Sequence, residues 1–137
     1  MIHTRNIQKD FRRGDHVEHA LQNINIDIEE GEYVVVAGPS GSGKTTLLGL
    51  LGLVDVPTRG ELFFRGTEVA YASGKQRERI RRGHIAFVFE NIHLIDELTI
   101  FENIELPLLY LPFSRKEKRK QVEKLMERFR LTHLKNQ

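Results

Sequence analysis

The 137-residue sequence contains no cysteine. That excludes a disulfide framework and any thiolate-ligated metal site, and it suits a reducing compartment. There is little excess charge: 21 Lys and Arg against 19 Asp and Glu leave a formal net charge of +2. So weak a balance does not by itself argue for a polyanionic partner. No long apolar run occurs either. The longest, Leu47–Val54 and Leu106–Phe113, fall far short of the ~20 residues that span a bilayer. No direct membrane insertion is expected, and any membrane role must pass through a partner. The start, Met1-Ile2-His3-Thr4-Arg5, lacks the apolar segment of a signal peptide. No internal repeat or low-complexity tract is present, and the length suits one domain with a real core.

What is present is organised around one stretch, Val34-Val35-Val36-Ala37-Gly38-Pro39-Ser40-Gly41-Ser42-Gly43-Lys44-Thr45-Thr46-Leu47-Leu48. Gly38 to Thr45 fits G-x-x-x-x-G-K-[ST], the phosphate-binding P-loop. The pattern alone arises by chance; its context makes it strong. A β-branched apolar run precedes it and leucine-rich helix formers follow, giving the strand–loop–helix order that the chemistry needs. Gly38, Gly41 and Gly43 let the backbone approach a ligand, so that successive N–H groups form an anion nest. The first helical turn adds unpaired donors and the positive end of a dipole. Lys44 supplies a cation for phosphates, and the Thr45 hydroxyl is a ligand type that Mg²⁺ takes.

Along the chain, Ile2 to Ile7 reads as a strand with Phe11 just past it, and Arg12-Arg13-Gly14-Asp15 as a turn. Val17–Leu21 and Ile24–Ile28 form a second extended stretch, the latter alternating with Asn25 and Asp27. Glu29-Glu30-Gly31-Glu32 is a turn. Tyr33–Ala37 and Ile85–Phe89 have the continuous apolar character of strands covered on both faces in a parallel sheet. Glu61–Phe64 and Thr67–Val69 read as a hairpin about Arg65-Gly66. Ser73–Arg82 reads as a short basic helix stopped by Gly83. From Glu90 the character is helical, with capping boxes at Thr99–Glu102 and Ser114–Glu117 and with Pro107 and Pro112 between the helices. Val122, Leu125, Met126 and Phe129 mark a packed helix face.

A P-loop needs an acid to order Mg²⁺. Only Phe87-Val88-Phe89-Glu90 has the shape of an acid after a buried strand. On pattern alone Glu90 is either the metal-organising acid of a compact P-loop kinase or an exposed strand-end glutamate. His16 and His19 beside Asp15 lack further ligands and read as solvated. The basic helix with Lys75, Arg77, Arg79, Arg81 and Arg82 is interrupted by Glu78 and has no aromatic platform, so a solvated face is expected and no nucleic acid. Lys116–Lys120 reads the same way.

Residues 85–108, with the P-loop stretch and Asp55-Val56-Pro57-Thr58-Arg59-Gly60-Glu61, closely resemble ABC transporter ATP-binding subunits. The form Glu102-Asn103-Ile104-Glu105-Leu106-Pro107-Leu108 is most similar to the lipoprotein-release, macrolide-export and cell-division group (LolD, MacB, FtsE). The resemblance implies an α/β fold, a P-loop NTPase of the ABC type. Its antiparallel β layer would span 1–30 and 60–70, its parallel α/β core 31–58 and 84–90, and the start of its helical subdomain 91–137. It implies that Phe11 stacks on adenine and that Ser40 to Thr46 contact the phosphates of ATP, with Gly38 and Pro39 opening the loop. It implies Mg²⁺ held at Thr45 and at Glu90, which stands where the family has the Q-loop glutamine. Glutamate keeps the length but adds a charge that repels the γ-phosphate. The family's L-S-G-G-Q signature, its Walker B aspartate with the catalytic glutamate, and its switch histidine come later and do not occur here; His133 precedes the signature position. The expectation is therefore a truncated ATP-binding subunit that does not hydrolyse ATP alone. In complete form it would pair with a second ATP-binding subunit and a membrane-spanning permease, peripheral on the cytoplasmic face of the cell membrane. The alternatives are the compact kinase using Glu90 and a non-enzymatic nucleotide-binding remnant.

Overall fold

The computed structural model describes residues 1–91 and 94–137; Ile92 and His93, part of the Q-loop-like stretch, lie outside the described residues. The chain divides into two compact units, Met1–Ile85 and Ala86–Gln137.

The first unit is built on an antiparallel hairpin. Strands β1 (Ile2–Arg13) and β2 (His16–Ile28) turn at Gly14-Asp15, with Gly14 at φ 60°. Strand β3 (Arg59–Phe64) pairs with the other side of β1, and β4 (Thr67–Glu68) follows it, giving the order β2-β1-β3-β4. Arg65 and Gly66 both have positive φ, 51° and 80°, the geometry expected of a two-residue hairpin turn.

A bulge in β1 sets the phase of the sheet. The pairing passes from Thr4↔Ile26 to Ile7↔Ile24, so β1 carries one extra residue there. Asn6 adopts φ 50°, and Asn23 of β2, at the next register shift, adopts φ 49°, a conformation that asparagine tolerates better than most residues. The Asn25 amide holds both: its Oδ1 accepts the Asn6 N–H at 2.9 Å, and its Nδ2 donates to the Asn23 carbonyl at 3.0 Å. A Cβ on Gly60 would lie 2.5 Å from the Asn6 carbonyl oxygen, so β3 comes this close to the bulge only as glycine. The extra residue reverses the alternation of faces. Thr4 is buried before it, and Ile7 and Lys9 after it. Phe11 therefore shares the phase of Ile7 and Lys9.

Helix α1 (Lys44–Leu51) covers the face so formed. Leu47, Leu50 and Leu51 pack with Ile7, Leu21 and Leu62 of the sheet and with Leu53, Val69 and Ala70. Each buried leucine contributes ~1.5–3 kcal/mol. Leu53 closes the helix in the left-handed region (φ 57°), with Val54 N–H donating to Gly49 and Leu53 N–H to Leu50, both at 2.9 Å. That is a Schellman end made by leucine instead of glycine, and Leu53 is 1% exposed, so its burial offsets the backbone strain. Helix α2 (Gly74–Arg81) starts at a Ser73–Gln76 capping box, and Arg81 donates to the Leu53 carbonyl.

The second unit is helical: α3 (Ile100–Glu105), a 3₁₀ turn Leu106–Tyr110 that holds Pro107, and α4 (Arg115–Arg128). Both expected capping boxes form, Thr99 with Glu102 and Ser114 with Glu117. The packed face of α4 is narrower than expected: Val122 and Met126 are buried, while Leu125 and Phe129 are exposed.

Two expected strands do not form. Tyr33–Ala37 and Ile85–Phe89 lie outside any helix or strand. A parallel strand exists only by pairing with neighbours, and among the described residues none pairs with these runs. Val36 and Ile85 rest partly against the core, but Tyr33 is 92% exposed and Val88 fully exposed. Phe87 and Phe89 stack with their ring centroids 5.7 Å apart. Among the described residues no helix is long and apolar enough to cross a membrane.

Candidate functional site

The loop before α1 adopts the geometry that its glycines suggested. Gly41 and Gly43 have φ 79° and 86°. Gly43 is the N-cap of α1 and gives no side-chain cap, and no acidic residue occupies the first turn. The first N–H groups of the helix are thus left for another acceptor. A Cβ on Gly43 would sit 2.6 Å from the Ala20 carbonyl oxygen of β2. Glycine here serves both the backbone angle and the close approach of loop to sheet. The Lys44 ammonium folds back over the loop, donating to the carbonyls of Gly38 at 2.8 Å and Pro39 at 2.6 Å. Ser42 N–H donates to the Pro39 carbonyl at 3.3 Å.

An open cavity of about 510 Å³ lies over this loop. Ser40, Gly41, Gly43, Lys44, Thr45 and Thr46 line it, and so does Phe11. The phosphate-loop residues and the aromatic expected to stack on a base thus share one cavity. They are about thirty residues apart in sequence, and the bulged hairpin brings them together. Phe11 is 38% exposed, enough for a flat partner to reach the ring. Glu90 belongs to the second unit, where it is exposed.

The hairpin end adds Arg12, Arg13, Glu18 and His19 to the wall. In the sequence the first two read as a turn and His19 as a solvated residue. The signal was the tight Gly14-Asp15 turn, because an antiparallel register from it places Phe11 opposite Glu18 and Asp10 opposite His19. His19 Nδ1 lies 2.7 Å from Asp10 Oδ1, so that imidazole is engaged in a cross-strand pair. The basic helix is also engaged locally: Arg77 donates to the Ala72 carbonyl and Arg82 to Glu78.

Beyond the end of α1, Asp55 pairs with Lys9 at 2.7 Å. Burial pushes the Asp55 carboxyl up, but the Lys9 ammonium and the Val56 N–H together outweigh it and hold the group below the usual carboxylate range.

The family model described as ABC transporter matches residues 21–137. The uncharacterized ABC transporter ATP-binding protein MJ1508 of Methanocaldococcus jannaschii is 42% identical over 127 residues, which are 93% of this chain and 57% of that protein. The macrolide export ATP-binding/permease protein MacB of Escherichia coli is 35% identical over 131 residues, 96% of this chain and 20% of that protein. Among solved structures, the ATP-binding cassette MJ0796, a dimer bound to ADP and Pi, superposes with a TM-score of 0.86 at 36% identity, covering 99% of this chain and 60% of that one. The chain spans about half the length of the curated ATP-binding proteins that it matches.

Proposed function

The chain belongs to the ABC transporter family, and from that premise we propose that its first unit binds Mg-ATP as the ATP-binding part of a transporter, coupling ATP hydrolysis in the assembled system to a membrane-spanning permease. One observation carries this reading: a single cavity is lined both by an aromatic ring and by the glycine-rich loop with its lysine. Phe11 stacks on the base. Ser40 to Thr46 donate N–H groups to the phosphates, on the loop opened by Gly38 and Pro39, and Lys44 adds the cation. The hydroxyl of Thr45, which lines the same cavity, is a hard oxygen donor of the kind Mg²⁺ takes. When bound, Mg²⁺ neutralises phosphate charge. Glu90, at the position of the family's Q-loop glutamine, offers a carboxylate that Mg²⁺ accepts but that repels a γ-phosphate.

The relatives support a reading of the partners. MJ0796 is described as a dimer bound to ADP and Pi, and MacB joins an ATP-binding and a permease part by name. A second ATP-binding subunit, a permease and a peripheral place on the cytoplasmic face of the membrane fit that pattern.

Calorimetric titration with ATP across a range of Mg²⁺ concentrations tests this reading. Lys44→Ala is expected to abolish most binding, and Glu90→Gln to bind ATP more tightly at low Mg²⁺. Unchanged affinity in Lys44→Ala sinks the phosphate site. Superimposable Mg²⁺ titrations for Glu90→Gln and wild type remove Glu90 from it. Steady turnover lost in Lys44→Ala favours the compact P-loop enzyme instead.

A further inference from the structure

Lys9 is a charged residue in the core of the first unit, 8% exposed. A lysine so placed gives up hydration and needs partners for its three donors. It has them in one direction: Nζ lies 2.7 Å from Asp55 Oδ2 and donates to the Val56 carbonyl at 2.8 Å. The same ammonium stands 5.1 Å from the centroid of the Phe11 ring, within the range of a cation–π contact. Asp55 and Val56 are the residues through which the P-loop helix leaves its Schellman end. Two further bonds stitch that exit to β1: Thr58 N–H donates to the Gln8 carbonyl at 2.8 Å, and Asp10 N–H to Thr58 Oγ1 at 2.9 Å. Lys9 is not part of the cavity wall, whereas Phe11 is.

We infer that Lys9 is a positioning residue for the base: it ties the Phe11 ring of β1 to the exit of the P-loop helix, so that ring and phosphate loop stand at one fixed spacing and engage a nucleoside triphosphate together. The inference rests on the nucleotide reading of the cavity. Its physical content is preorganisation. A ring held in place adds its full stacking to binding, while a ring that must be ordered on binding loses part of it. Phosphate recognition by residues 40–46 is a separate contribution. Loss of the Lys9 tie therefore weakens ligands that carry a base and spares ligands that do not.

The experiment compares ATP with inorganic tripolyphosphate on the purified chain, with Lys9→Met, Phe11→Ala and the double variant. Lys9→Met keeps the length of the stem and removes the charge. ATP binding is expected to weaken about fivefold or more in Phe11→Ala, the scale of one lost base–aromatic stack, and about threefold or more in Lys9→Met, where the ring remains but is no longer held. Tripolyphosphate binding is expected to change less than about twofold, because no stack is involved. The double variant is expected to bind ATP no more weakly than Phe11→Ala alone, because Lys9 acts through that ring. A merely structural lysine lowers both ligands together, and that result, or losses that multiply in the double variant, overturns the assignment. Should Lys9→Met not fold, Asp55→Asn removes the ion pair more gently and must show the same split between ligands. Wild-type protein that binds neither ligand overturns the nucleotide reading, and this inference with it. Wild-type protein that binds both, with Lys9→Met losing both equally, overturns this inference alone.

Discussion

The two units are held together by different forces. Of the eleven buried apolar residues among those described, nine belong to the first unit; only Val122 and Met126 belong to the second. The first unit is a sheet with a helix pressed onto it, and its stability comes from area removed from water. The second depends on side chains that satisfy backbone groups. Asn103 Oδ1 accepts the Ile95 N–H at 2.9 Å, and Nδ2 donates to the carbonyls of Ile95, Leu98 and Thr99 at 3.0–3.1 Å. Glu102 and Glu117 close their capping boxes on Thr99 and Ser114. The carbonyl of Gln137 accepts the Ile100 N–H at 2.7 Å. The cavity proposed to bind a nucleotide is built on the unit with the packed core. The unit tied by local bonds is the one expected to open at lower cost.

The largest expected effect comes from the core. Leu50→Ala, at a residue 1% exposed in α1, should destabilise the first unit by ~2–5 kcal/mol. Amide hydrogen exchange resolved by residue checks this: protection should fall across β1–β3 and α1 and change far less in α3 and α4. Equal loss in both units would dissolve the contrast. Asn103→Ala is the counterpart in the second unit. It removes one acceptor and the two N–H donors shared among three carbonyls and should cost ~1–3 kcal/mol, read as lost protection at Ile95 and in α3 with β1 unaffected.

The smallest effect is one of pH. The Thr99 hydroxyl and N–H hold Glu102 below the usual glutamate range, and those of Ser114 do the same for Glu117. A folded-state pKa that is depressed gives stability fully present above the unfolded value of ~4.3 and lost as pH falls through the lower folded value. The Ser73–Gln76 box of the first unit has no such charge. The pair Glu102→Gln and Glu117→Gln should therefore flatten the acid limb of stability for the second unit alone. An unchanged acid limb for that unit would show that the boxes do not set it.

Much of the candidate site was legible because it is local. A P-loop is eight consecutive residues whose glycines state their own backbone angles, and the two capping boxes in the helical unit are equally local. Phe11 was legible as a residue and not as a position. Its face depends on the bulge at Asn6, whose trace is the change of alternation from Ile2 and Thr4 to Ile7 and Lys9. Lys9 itself was invisible: a lysine in a strand reads as solvated, and only its nearness to Asp55, 46 positions on, explains its burial. The runs Tyr33–Ala37 and Ile85–Phe89 failed as strands for the converse reason. Apolar composition shows that a segment suits burial, but a ladder is made by its neighbours.

The central claim is that the first unit carries one nucleotide site with a base platform and a phosphate nest. Amide NMR during a titration with Mg-ATP tests it most directly. The account predicts that the largest shifts fall at Phe11 and at residues 38–46, and that inorganic tripolyphosphate reproduces the shifts at 38–46 but not the one at Phe11. Saturable binding that leaves both regions unshifted would contradict it.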